Sequence, residues 1–223
     1  MEGGTMESYM NRISNTGIVP VVKILEKEDA YPLAKALLNG GIDVIEVTYR
    51  SEHATSAIQT ISEQLPDMLV GAGTVLSVEQ AKEAVEAGAK FIITPGFNTK
   101  VVQWCLDHDV EVYPGVSTAS EVEMALSMGL TQLKFFPAES SGGAKKLKDL
   151  SAPYANVHFM PTGGINTKNM HDYLSLPNVE AIGGSFMLPN DLVVAKDWDG
   201  IEALSKAAIK SLLDFQLIHV GIN

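Results

Sequence analysis

The chain has 223 residues, 46% hydrophobic and 19% charged, which is ample material for a large core and excludes an intrinsically disordered protein. Its formal net charge of −11 leaves no basic stripe to release counterions from phosphates, so nucleic-acid binding is excluded as a function class. An anionic small molecule remains compatible with that charge, because salt screens interactions beyond about 8 Å and a site can be built locally from a few donors.

The first fifteen residues, MEGGTMESYMNRISN, are polar and lack the apolar core of a signal peptide; they read as an amino-terminal extension, 1–15. Eight short apolar runs follow: GIVPVVKI (17–24), DVIEVTYR (43–50), MLVGAGTV (68–75), KFIITPG (90–96), VEVYPGV (110–116), QLKFFPA (132–138), VHFMPTGG (157–164) and VEAIGGSF (179–186). Their starts lie 20 to 26 residues apart, leaving room for one helix in each gap. The gaps carry helix punctuation. KEDAYPLAKALLNGG (27–41) ends on Gly-Gly, and SVEQAKEAVEAGA (77–89) starts with a Ser N-cap. STASEVEMALSMG (117–129) offers Ser117 or Thr118 as cap, with Glu121 placed for a capping box. The last helix is expected over IEALSKAAIKSLLDFQL (201–217), where apolar residues recur at helical spacing.

Eight strand–helix units without a long linker predict an α/β fold of the (β/α)8 TIM barrel type, a single domain over 1–223. Such barrels run to roughly 200–250 residues as one unit. The alternative, an open doubly wound sheet, calls for fewer strands and a Gly-rich first turn, which GIVPVV does not supply. No run approaches about 18 uninterrupted apolar residues, so no membrane span is expected. Cys105 is the only cysteine and can form neither an internal disulfide nor a metal pair. His53, His108, His158, His171 and His219 show no metal-ligand spacing. The expectation is a cytoplasmic protein with no metal.

Barrel strands alternate between interior and helix-facing side chains. In DVIEVTYR the set Val44, Glu46, Thr48, Arg50 is the more polar near the carboxyl end, where barrel active sites lie, so Glu46 and Arg50 are expected inside. The same rule sends Leu133 and Phe135 outward and Gln132, Lys134 and Phe136 inward. Glu46 and Lys134 then share one interior. Two readings stay open on these residues alone. One is a structural buried ion pair. The other is a Schiff-base lysine with an acid/base partner, since desolvation favours the neutral amine that attacks a carbonyl and a nearby carboxylate can shuttle protons.

Further residues bear on the substrate. Arg50, four residues after Glu46, offers a fork for a substrate carboxylate. Thr74 adds either a substrate-binding hydroxyl or a simple strand-end cap, and Phe136 an apolar wall. PTGGIN (161–166) and IGGSF (182–186) close strands seven and eight with glycines, where these barrels often hold phosphate on bare N–H groups. Lys23, near the end of strand one, fits a snorkelling surface lysine better than an anion ligand.

EVTYRS (46–51), GAGTVL (71–76), TPGF (94–97), YPGVST (113–118), KFFPAE (134–139), PTGGI (161–165) and IGGSF occur in order, each at a strand's carboxyl end. Together they resemble the 2-keto-3-deoxy-6-phosphogluconate (KDPG) and 4-hydroxy-2-oxoglutarate (KHG) aldolases, a class I aldolase family, from about Gly17 to Leu213. The resemblance implies a Schiff base between Lys134 and the pyruvate half of the substrate, with Glu46 as general acid/base. Arg50 and Thr74 would hold the pyruvyl carboxylate. Pro95, Phe136 and Thr162 match pocket positions around the imine; Gly163, Gly164, Gly184 and Ser185 match the phosphate end. It also implies a homotrimer that takes a small-molecule 2-keto acid and uses no cofactor. Lys23 stands where some relatives carry an apolar residue, which bears on the distal end of the substrate. The alternatives are an aldolase for another 2-keto-3-deoxy sugar acid or its phosphoester, a sugar-phosphate epimerase, which would need metal-ligand histidines or paired acids at strand ends, and a non-catalytic barrel that binds a phosphorylated metabolite.

Overall fold

The computed structural model describes residues 9–220, with side chains through residue 213. Strands and helices alternate as expected. After helix α1 (Tyr9–Thr16) come β1 (Ile18–Val22), α2 (Ala30–Asn39), β2 (Val44–Thr48), α3 (Ala54–Gln64), β3 (Leu69–Gly73), α4 (Val78–Glu86), β4 (Phe91–Ile93) and α5 (Thr99–Asp107). The second half runs β5 (Glu111–Tyr113), β6 (Gly115–Val116), α6 (Ala119–Ser127), β7 (Gln132–Phe135), α7 (Gly143–Ser151), β8 (His158–Pro161), α8 (Met170–Leu174), β9 (Ile182–Gly184), α9 (Asn190–Ala195) and α10 (Trp198–Val220). The fifth expected strand is therefore two, divided at Pro114, which has no N–H to offer a ladder.

All strand pairs are parallel, in a six-stranded sheet of order β5-β4-β3-β2-β1-β9 and a three-stranded sheet of order β6-β7-β8. The first strand pairs with the last, so the sheet curls on itself. Isolated bridges, Phe159 to Val179 and Thr162 to Gly183, join the segments of β8 and β9.

The curl separates two apolar clusters. The larger lies between sheet and helices and takes Ile45, Val47, Leu133, Phe135 and Phe159, with the rings of Phe135 and Phe159 edge to face at 6.4 Å. The outward expectation for Leu133 and Phe135 holds; burying each contributes about 1.5–3 kcal/mol. The smaller cluster fills the concave side towards the amino ends of the strands, with Val19, Val44, Leu69, Phe91, Ile93, Tyr113, Met160 and Ala181. Helix α1 closes that end with Met10 and Ile13. The polar reading of residues 1–15 missed this helix, whose apolar positions keep the i, i+3 spacing within a polar average; residues 1–8 lie outside the described part. Asp43 ties α1 down, accepting from Arg12 Nε at 2.9 Å and Thr16 Oγ1 at 2.5 Å.

Helix starts follow the sequence signals. Ser77 caps α4 by accepting from Gln80 N at 3.2 Å. Thr118, rather than Ser117, caps α6, and Glu121 returns a full capping box by accepting from Thr118 N at 2.9 Å. Cys105 is buried in α5, and burial pushes its thiol up to about 12, which makes it inert at neutral pH.

Candidate active site

The concave side that holds the smaller apolar cluster also holds a polar pair. On β2 the same parity that buries Val44 puts Glu46 into the concavity, fully buried. On β7 it does the same for Lys134. The two meet: Lys134 Nζ donates to both Glu46 carboxylate oxygens at 3.1 Å, with side-chain exposures of 5% and 1%. Phe136 stands over the amine, its ring centroid 5.5 Å from Nζ. Three expected residues, from two strands far apart in sequence, thus form one cluster.

Glycines make room for this cluster. A Cβ on Gly73 would lie 2.0 Å from Glu46 Oε1 and 2.4 Å from its Cγ. A Cβ on Gly115, the register partner of Lys134, would lie 2.2 Å from the carbonyl oxygen of Pro95. Pro95 is therefore packed beside the lysine's neighbouring strand.

The other expected residues ring the carboxyl ends. Thr48, fully buried, donates to Val22 O at 2.7 Å and accepts from Arg50 Nε at 3.1 Å, so the exposed guanidinium is held at the mouth. Thr74 has φ +54°, in the left-handed region that costs a β-branched residue on the order of 1–3 kcal/mol. Main-chain bonds on either side hold it there: Tyr49 N to Gly73 O at 2.8 Å and Val75 N to Ile93 O at 3.2 Å. Arg50 and Ser185 line one cavity of ≈ 220 Å³ together with Lys23 and Asn190, so Lys23, an exposed side chain, faces the same space as the expected carboxylate ligand.

Across the ring, Thr162 is 5% exposed, and its Oγ1 is buried with no hydrogen-bond partner among the described residues. A buried hydroxyl left open at a site is one that a ligand can satisfy. Gly183 lets it sit there, since a Cβ on that residue would come within 2.2 Å of Oγ1. Gly163 and Gly164 follow at φ +104° and +83°, and Gly184 ends β9. Beneath them Glu139 accepts a hydrogen bond from the buried Tyr173 hydroxyl. Burial first, and that carboxylate second, push the Tyr173 phenol up.

Residues 9–204 match the family described as "Aldolase: KDPG and KHG aldolase". The chain belongs to the KDPG and KHG aldolase family. A 2-dehydro-3-deoxy-phosphogluconate aldolase of Treponema pallidum is 44% identical over 205 residues, covering 92% of this chain and 98% of the relative. A KHG/KDPG aldolase of Escherichia coli K12 is 44% identical over 199 residues, covering 89% and 93%. The crystal structure of a KDPG aldolase from Legionella pneumophila, with pyruvate captured at low pH as a covalent carbinolamine, superposes with a TM-score of 0.87 at 40% identity, over 90% of this chain and 98% of that one.

The sequence reading of this aldolase chain missed Thr48, Gly73, Gly115 and Gly183. For Thr48 a signal existed, because it shares parity with Glu46 and Arg50. The glycines sit in motifs that carry the resemblance, but what each must clear is a side chain or carbonyl on another strand.

Proposed function

We propose that this chain is a class I aldolase that cleaves 2-keto-3-deoxy-6-phosphogluconate to pyruvate and glyceraldehyde 3-phosphate through an imine on Lys134. The observation that carries the reading is the buried Lys134 Nζ held 3.1 Å from both oxygens of Glu46. The carbinolamine captured with pyruvate in the Legionella enzyme supports it. Lys134 Nζ adds to the C2 carbonyl; loss of water leaves an iminium. Glu46 takes the proton of the C4 hydroxyl, the C3–C4 bond breaks, and its electron pair moves into the iminium to give an enamine as the aldehyde departs. Protonation at C3 and hydrolysis release pyruvate and free the lysine. Arg50 and Thr74 hold the pyruvyl carboxylate; Pro95, Phe136 and Thr162 line the imine; Gly163, Gly164, Gly184 and Ser185 hold the phosphate. The pyruvate half is common to 4-hydroxy-2-oxoglutarate, so that acid is a second substrate, cleaved to pyruvate and glyoxylate.

Borohydride added with pyruvate tests the core of this reading. It should reduce the iminium and leave a stable adduct on Lys134, located by peptide mass spectrometry; an unmodified Lys134 sinks the proposal. Comparing kcat/KM for the phosphorylated six-carbon acid and the five-carbon diacid ranks the two substrates. The same reading takes the chain as one domain with a closed eight-stranded barrel, which the β8–β9 bridges support. It takes the working form as a cytoplasmic homotrimer, to be checked by light scattering. No helix among the described residues is long and apolar enough to cross a membrane.

A further inference from the structure

The turn after β8 divides its backbone groups between two uses. The carbonyls of residues 162–164 are committed to protein donors: Thr162 O to Ala138 N at 2.8 Å, Gly163 O to Glu139 N at 3.1 Å, and Gly164 O to Asn169 Nδ2 at 3.1 Å and Asn166 Nδ2 at 3.3 Å. Two of the turn's N–H groups are not. Among the described residues, the amides of Gly164 and Ile165 donate to no protein acceptor, whereas that of Gly163 faces the Gly183 carbonyl in the Thr162–Gly183 bridge. In a planar trans peptide the carbonyl of one residue and the N–H of the next point in opposite directions. Each carbonyl bond therefore aims the N–H that follows it. The Thr162 bond turns Gly163 N–H to the Gly183 carbonyl, while the Gly163 bond sets the open Gly164 N–H and the Gly164 bond the open Ile165 N–H.

The Gly164 N–H is fixed through a main-chain donor, Glu139 N. The Ile165 N–H rests on side chains alone. Asn169 contributes most, because its Oδ1 also accepts from Asn166 N at 2.8 Å and so clasps the turn on both sides of Ile165. With both glycines at positive φ, the turn has little intrinsic preference to hold this shape.

We propose that Asn169 is a positioning residue for phosphate recognition: by holding the Gly164 carbonyl it orients the Ile165 N–H as a second open main-chain donor beside that of Gly164. It touches no substrate. The proposal rests on the reading that this turn holds the substrate phosphate. One charge-assisted hydrogen bond lost to disorder should weaken phosphate binding about tenfold.

The experiment compares wild type with Asn169→Ala on 2-keto-3-deoxy-6-phosphogluconate and on the same acid without phosphate, with inorganic phosphate as inhibitor. The variant should raise KM for the phosphorylated acid and the inhibition constant of phosphate about tenfold, and change kcat less than about twofold. KM for the unphosphorylated acid and borohydride trapping of pyruvate should not move. An equal rise in KM for both acids, or no rise, overturns the proposal. If wild type itself shows no preference for the phosphorylated acid and no inhibition by phosphate, the phosphate reading of the turn has failed and this proposal falls with it. If wild type shows both and Asn169→Ala keeps them, Asn169 is not the brace while the phosphate reading stands. Should Asn169→Ala not fold, Asn169→Asp decides, since it keeps the acceptor for Asn166 N and removes the donor to Gly164 O.

Discussion

Glu46→Gln separates the two meanings that a buried Lys–Glu pair can have. Glutamine has the same shape and number of heavy atoms, so the room provided by Gly73 still suffices and the side-chain oxygen can still accept from Lys134 Nζ. What the variant loses is a group that takes up and returns a proton. If Glu46 is the acid/base, kcat should fall about 10²–10⁴-fold, which at 1.36 kcal/mol per decade adds about 3–5 kcal/mol to the barrier. KM should change little. The pair's own contribution gives a separate number. With exposures of 5% and 1%, Lys134 would lose its counter-charge in the interior, at a cost of up to about 3–5 kcal/mol of stability. For a chain of this size that lowers Tm by about 6–20 °C.

The assay therefore needs both readouts: pyruvate release followed through lactate dehydrogenase, at a temperature where circular dichroism shows the variant folded, and a thermal melt. A variant that melts early yet turns over within about threefold of wild type, while folded, refutes the catalytic assignment and leaves a structural ion pair.

Gly73→Ala should act on the same step from outside it, because its Cβ, 2.0 Å from Glu46 Oε1, must displace the carboxylate; kcat should fall with a stability cost of about 1–3 kcal/mol, read by kinetics and a melt. Thr74→Gly and Thr74→Ala both remove the hydroxyl and should raise KM for pyruvate in the condensation direction, but only glycine relieves the φ of +54°, so the glycine chain should be the more stable of the two by about 1 kcal/mol. Glu121→Gln probes the α6 cap. Burial opposes ionisation of Glu121, but hydrogen bonds from Ser117 and Thr118 outweigh it and hold the carboxyl below its ordinary 4.5. The folded value lies below the unfolded one, so this stabilisation is present above the unfolded value and is lost as pH falls through the folded one. The gap in Tm between wild type and Glu121→Gln should be full near neutral pH and close below about pH 4.

What was legible in the sequence were the features with a short period. Alternation along EVTYR and LKFFPA placed Glu46 and Lys134 inside and Leu133 and Phe135 outside, because a period of two needs only a few residues to show which side is polar. Helix starts at Ser77 and Thr118 were legible for the same reason, since a cap and its partner lie three residues apart. The split of the fifth strand at Pro114 was present in the sequence as YPG and was overlooked in favour of the apolar run around it. Helix α1 was hidden because its two buried apolar residues, Met10 and Ile13, are too few to lift a polar average.

The rest was illegible because it is defined by neighbours that only the fold supplies. Gly73 looks like any turn glycine until the Glu46 carboxylate, 27 positions earlier, is found filling the space its side chain would need. Asn169 looks like one more polar loop residue until the carbonyl of Gly164 is seen to have no main-chain donor. The same logic bears on why the lysine–glutamate pair sits where it does. A buried ion pair is a weak way to hold a fold together, since well-packed apolar side chains of similar volume often do as well or better. The apolar cluster on the same concave side is built that way, from Val44, Leu69, Phe91 and Met160 among others, so apolar packing serves the rest of that interior. Glycines 71, 73 and 115 yield their side-chain space to the Phe91 ring, the Glu46 carboxylate and the Pro95 carbonyl, so the pair is set into a filled interior. Packing alone does not call for an amine and a carboxylate there; the proposed imine chemistry does.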